Sequence, residues 1–112
     1  MPKDKKKFGD FLREIIKQTG ISQSSFYSAV GITKPYFYDI LSGKVNPPPP
    51  EIQYKMLECL KVTERQRIEF LNMAAEGRGE LPADIMTLIK EHPNELEKIR
   101  TTLITLLSKE GE

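Results

Sequence analysis

Glycines at 20, 31 and 43 divide the first half of this chain into short lengths, each fit for one helix and for little else. Gly20 closes an apolar stripe of Phe8, Leu12, Ile15 and Ile16, widened by Phe11, at the three- and four-residue spacings of a helix. A glycine just past a helix end adopts positive φ without steric cost. Ser22 is then placed to cap a helix running to about Val30, with Phe26, Ala29 and Val30 inward, which Gly31 ends. Ile32 anchors the turn. Thr33 caps a helix from Lys34 to about Leu41, with Pro35 in its first turn, where a missing N–H has no helical partner to lose. Phe37, Ile40 and Leu41 form its inner stripe, and Gly43 closes it.

Asn46 to Pro50 follows as a stiff, extended spacer, because four successive prolines fix φ and remove donors. The next helix covers about Glu51 to Leu60, on Ile52, Met56, Leu57 and Leu60. Thr63 and Gln66 have the spacing of a capping box for a helix ending near Gly77 or Gly79, with Ile68, Leu71, Met73, Ala74 and Ala75 inward. A shorter helix, about Ala83 to Glu91, carries Ile85, Met86, Leu88 and Ile89. His92 and Pro93 separate it from a last helix reaching Ser108, on which Leu96, Ile99, Leu103 and Leu106 form a stripe widened by Ile104 and Leu107. No alternating strand pattern bounded by turns occurs, so the expectation is all-α: about five helices in a bundle with one or two more at the C-terminal end.

Composition narrows the function classes. At 112 residues the chain suits one domain with a small helical appendage, and 38% hydrophobic with 29% charged residues is globular rather than disordered. No apolar run is long enough to span a membrane, and the basic N-terminus lacks an apolar signal core, so an intracellular, cytoplasmic protein with no membrane partner is expected. The single cysteine, Cys59, reads as a small buried hydrophobe. One histidine, His92, and one distant cysteine make no zinc site, and no base is placed near a nucleophile; neither an enzyme, a metal nor another cofactor is expected. Net charge is +1 overall but unevenly spread: eight Lys/Arg against four Asp/Glu up to residue 50, nine against twelve after it. The first half suits a polyanion and the second repels one. Lys5, Lys6 and Lys7 read as a solvated tail or a basic arm ahead of the first helix.

Two short helices joined through Gly31, Ile32 and Thr33 satisfy the spacing of a helix-turn-helix, whose second helix fits the roughly 12 Å major groove. Residues 8–60 also resemble the phage-repressor or Cro-like (XRE-type) helix-turn-helix family. The resemblance rests on Phe8-Gly9, Leu12-Arg13, Gly20-Ile21-Ser22-Gln23, Gly31-Ile32-Thr33, Gly43-Lys44 and Pro47, with Tyr27 standing where that family usually has alanine. It implies a lambda-repressor-like bundle over residues 1–62 and a sequence-specific regulator of transcription, a repressor, bound to double-stranded DNA. It assigns Lys34, Pro35, Tyr38 and Asp39 to base edges, and Gln23, Thr33, Tyr36, Ser42, Lys44 and Asn46 to the phosphate backbone. The chemistry is compatible: Lys34 can donate to guanine O6 or N7, Asp39 can accept from cytosine N4, and Pro35 offers a thymine methyl an apolar contact. In the run Tyr36-Phe37-Tyr38, Phe37 is the packing residue and either tyrosine is open to partial burial.

Residues 63–112 form an extension that packs on the core or mediates dimerisation. Ala74 through Arg78 and Glu80-Leu81-Pro82-Ala83-Asp84-Ile85 resemble the C-terminal segment of a subgroup of the same regulators. Such regulators work as two-fold dimers, so a homodimer is expected, with Leu96, Ile99, Leu103 and Leu106 as its candidate interface. The alternative is a protein-interaction module or an antitoxin that keeps the fold and binds a protein partner.

Overall fold

A computed structural model describes the backbone of residues 4–110 and the side chains of residues 4–108. The described residues are all-helical: α1 (Lys5–Thr19), α2 (Gln23–Val30), α3 (Lys34–Ser42), α4 (Pro50–Leu60), α5 (Glu64–Arg78), α6 (Ala83–Lys90), a 3₁₀ turn (Pro93–Glu95) and α7 (Leu96–Glu110). No described helix is long and apolar enough to cross a membrane.

The expected punctuation holds. Gly20, Gly31, Gly43 and Gly79 all take positive φ at helix C-termini, and Ser22, Thr33 and Thr63 accept a backbone N–H from the first turns of α2, α3 and α5. Thr63 and Gln66 complete the capping box in both directions. The first helix begins earlier than its apolar stripe suggests. Asp4 accepts the Lys7 N–H at 2.9 Å, so Lys5, Lys6 and Lys7 form the first turn of α1 rather than a tail.

One core runs through α1 to α5. α1 lies between α3 and α5, and Phe8, fully buried, meets Phe70 of α5 edge-on with ring centroids 5.0 Å apart. The inner face of α5 corrects the sequence expectation. Phe70 is buried with Leu71, Ala74 and Ala75, whereas Ile68 is 46% exposed and Met73 only partly covered. Ala29 of α2 likewise faces outward. Cys59 is half-buried against the core. The sequence division near residue 62 falls between α4 and α5, and α5 packs directly on α1.

Two glycines set the closest approaches. A Cβ on Gly9 would stand 2.3 Å from the Leu41 carbonyl oxygen, so only glycine lets α1 rest on the end of α3. A Cβ on Gly77 would stand 2.6 Å from Cγ of Pro47. The proline bridge is therefore pressed into α5, and Pro47 and Pro48 are buried. A proline run offers carbonyls and no donors, so every buried carbonyl needs an outside partner. Arg78 Nη1 donates to Pro47 O at 3.0 Å, Gln53 Nε2 to Pro48 O at 2.8 Å, and the backbone N–H groups of Ile52 and Gln53 to Pro49 O. Gln53 Oε1, buried in the same place, meets no donor.

Beyond α5 the packing thins. Ala83 is the buried residue of α6, and a 3.1 Å hydrogen bond between the Tyr54 and Thr87 hydroxyls ties α6 to α4. α7 leans on its own 3₁₀ turn. The radius of gyration is 16.1 Å, against about 13 Å for a compact domain of this length. The molecule measures 47 × 28 × 22 Å, a globule with an arm.

Gly77→Ala should lower stability by about 1–3 kcal/mol through the clash with a ring that cannot rotate away, read as a shifted urea midpoint. Lys61, which ends α4 at φ 50°, should behave oppositely. Lys61→Gly should stabilise by about 0.5–1 kcal/mol, the left-handed strain relieved less the added freedom of the unfolded chain.

Candidate nucleic-acid interface

α3 has two distinct sides in cross-section. Phe37, Ile40 and Leu41 point into the core, each at most 1% exposed. Helical periodicity then puts Pro35, Asp39 and Ser42 on the opposite side, with Lys34 at the N-terminal edge. Lys34, Pro35 and Ser42 are exposed and Asp39 is partly so. Pro35, Asp39 and Ser42 form the outward edge of the helix, and Lys34 extends from its first turn.

The two tyrosines occupy its flanks. Tyr38 is 42% exposed, lies edge-on to Phe37 with centroids 5.3 Å apart, and donates from its hydroxyl to Gln23 Oε1 at 2.9 Å. Gln23 is the first residue of α2, so this bond fixes the two helices of the pair relative to each other. Tyr36, on the other flank, is partly buried against the core. Burial pushes its phenol above the ordinary tyrosine range, with the Arg78 guanidinium pulling weakly the other way. Tyr36 thus lies within electrostatic reach of the Arg78 guanidinium, with its ring packed against the core.

Tyr27 packs on Phe37 at a centroid distance of 5.4 Å. The turn itself is held by the Gly31 and Ile32 N–H groups, which donate to the Tyr27 carbonyl at 3.0 and 3.1 Å.

The loop after α3 lies beside the outward edge. Ser42 Oγ donates to the Asp39 carbonyl at 3.2 Å, and the Lys44 N–H donates to the same carbonyl at 3.0 Å. Lys44 and Asn46 are exposed. Gly43 sits on the backbone of Lys6, so the first turn of α1 adjoins this loop. Lys6 pairs with Asp10 at 2.6 Å and Lys7 with Glu76 at 3.4 Å. Lys34 and Lys44 make no ion pair with any described residue. Thr33 is exposed, and its hydroxyl accepts the Tyr36 N–H at 3.3 Å.

A hydroxyl cluster at the start of α2 escaped the sequence reading. Ser22 Oγ accepts the Ser25 N–H and donates to Ser25 Oγ at 2.8 Å, with Ser24 Oγ 3.4 Å away. The signal was the run Ser22-Gln23-Ser24-Ser25, which reads as an ordinary cap until α2 is seen beside α3. Acid placement sharpens the contrast between the two halves. Glu51, Glu64, Asp84 and Glu97 stand in the first turns of α4 to α7, while the first turns of α1, α2 and α3 hold no acidic residue. The positive ends of α2 and α3 therefore meet no carboxylate from their own first turns, whereas α1 is capped by Asp4.

Among the described residues no three His, Cys, Asp or Glu side chains converge as metal ligands. Comparison with protein-family models, with curated proteins and with solved structures finds no match to this chain.

Tyr38→Phe should cost about 0.5–1 kcal/mol, since the bond to Gln23 is partly exposed and its partners regain water. A tyrosine absorbance titration should contain a component ionising above the ordinary range, absent in Tyr36→Phe. Because the folded state holds that proton longer, stability should fall as pH rises past about 10, and less steeply in Tyr36→Phe.

Proposed function

We propose that this protein is a sequence-specific double-stranded DNA-binding regulator of transcription, a repressor that occupies operator DNA, built on a lambda-repressor-like helix-turn-helix and acting in the cytoplasm. The observation that carries this reading is α3: a short helix with a fully buried inner stripe, two bracing tyrosines and an outer edge that covers nothing. An edge of that size enters the major groove without rearrangement of the fold.

On this reading Lys34, Pro35 and Asp39 face the base edges. Lys34 donates to guanine, Asp39 accepts from cytosine N4, and Pro35 lies against a thymine methyl. Tyr38 is placed chiefly as a strut, because its hydroxyl already serves Gln23. Ser42, Lys44 and Asn46 approach one phosphate strand. Gln23 and the serine hydroxyls, at the unneutralised start of α2, approach another. Tyr36 takes no phosphate on this reading, since its ring is partly buried against the core. The carboxylates of α4 to α7 keep the duplex away from the far side of the molecule.

Selection of duplexes from a random pool should yield a consensus, and the affinity for it should fall linearly with log salt. Lys44→Ala should weaken all sequences alike and reduce the salt slope by about 0.9, as expected for one lost phosphate contact. Lys34→Ala should also relax the preference at one base pair, by about 1–3 kcal/mol. Folded protein with no DNA binding at low salt would refute the proposal.

A further inference from the structure

The groove between α6 and α7 adjoins the stripe expected to pair two copies, of which Leu96, Leu103 and Leu106 are 44%, 47% and 53% exposed. A different cleft, of about 380 Å³, opens where α4 turns into α5. Leu57, Val62 and the ring of Tyr54 supply its apolar lining, and Glu58, Lys61 and Arg67 its charges. That volume suits a small molecule, and an apolar lining with a few converging polar groups is the usual composition of a ligand site.

The charges around this cleft are held apart. Lys61, Arg67 and Glu58 make no ion pair with one another or with any other described residue. Arg67 is half-buried, and its guanidinium carbon stands 6.0 Å from the centre of the Tyr54 ring. That contact is at the outer limit of a cation–π attraction and engages none of the guanidinium N–H donors. The Tyr54 hydroxyl is taken by Thr87 of α6, which fixes the ring where it borders the cleft.

Lys61 is also strained. The first five helices each end on a residue at positive φ, which is glycine in four of them and Lys61 in α4. A side chain in that conformation costs stability, and strain of this kind collects at ligand sites. The left-handed turn also takes Lys61 out of the helical row in which Glu58, three positions earlier, would pair with it. Its ammonium is left to the cleft.

We propose that this cleft binds a small organic carboxylate, with the carboxylate between Lys61 and Arg67 and an apolar body against Leu57, Val62 and the Tyr54 ring. A planar guanidinium takes a carboxylate through two parallel N–H bonds, and the lysine ammonium supplies a further donor. Two cations and Glu58 leave the rim with one net positive charge, which one carboxylate neutralises. A phosphate monoester carries close to two negative charges near neutral pH and would meet Glu58 with a surplus. None of the lining residues belongs to α2 or α3, so the site is separate from the nucleic-acid edge.

The test is a titration of the full, isotope-labelled chain with benzoate near neutral pH, followed by amide chemical shifts. The expected result is saturable shifts centred on residues 54–67, with a Kd of about 1 mM, ordinary for a ligand of this size. Benzamide, the same ring without the charge, should bind at least about 10-fold more weakly, and phenyl phosphate should also bind more weakly than benzoate. Arg67→Gln should weaken benzoate by about 10-fold. Lys61→Gly should weaken it by about 5-fold while raising the urea midpoint, so that the lost affinity does not come from a lost fold. No saturable shift at residues 54–67 up to about 20 mM benzoate overturns the proposal. So does benzamide binding as well as benzoate, or a Lys61→Gly chain that keeps the wild-type affinity. Tighter binding of phenyl phosphate than of benzoate overturns the choice of a carboxylate. The titration does not read DNA binding by α3, so each proposal can fail without the other.

Discussion

The position of α3 depends on a methyl group that is absent. Gly9 lets α1 lie directly against the Leu41 carbonyl at the end of α3, and the aromatic inner stripe of α3 is then shared between α1 and α2. Phe37 touches Phe26, Tyr27 and Tyr38 at centroid distances of 5.9, 5.4 and 5.3 Å. Once the inner stripe is held this firmly, the outer edge has one orientation relative to the globule. Rigid presentation of that kind reduces the ordering cost of binding. The Tyr38–Gln23 bond and the partial burial of Tyr36 oppose the remaining freedom, rotation of the helix about its own axis.

The proline bridge works by a different route. An extended run without N–H groups neither prolongs α3 nor pairs with a neighbour, so its conformation is set by what grips its carbonyls. Arg78, Gln53 and the first amides of α4 each take one. The Arg78 guanidinium is itself held by both oxygens of Glu80, at 3.0 and 3.1 Å, so its long side chain is fixed before it reaches Pro47. Glycine at 77 and arginine at 78 are adjacent for a physical reason: one admits the proline ring and the other satisfies its carbonyl.

The sequence was most legible where a single local rule decides. Caps, C-terminal glycines and the breaks at Pro47–Pro50 and His92–Pro93 come from backbone chemistry that a few residues fully specify, and the all-α fold class and the order of helices followed. The N-terminus of α1 was missed because the apolar stripe begins at Phe8, while the cap, Asp4, lies a turn earlier among lysines. The face of α5 was misjudged because Ile68, Leu71 and Ala75 have helical spacing too. What rotates that helix is the Phe8–Phe70 contact and the Gly77–Pro47 approach, both made between residues far apart in sequence. At the outward edge of α3 the exposed residues were readable from periodicity, but the use of the Tyr38 hydroxyl by Gln23 and the partial burial of Tyr36 rather than Tyr38 were not. The apolar stripe of α7 was plain in the sequence, yet amphipathic spacing says only that a helix wants a cover.

The clamp on the proline bridge also sets where this chain can be cut and spliced. A fragment ending with α4 would lose the ring that covers Phe8, the groove that receives Pro47 and the donor for its carbonyl, all supplied by α5. The seam at which one such protein could exchange parts with another therefore follows Glu80, which holds Arg78 in place. A replacement for the helices after it has to keep a small residue where Ala83 enters the core and a partner for the Tyr54 hydroxyl.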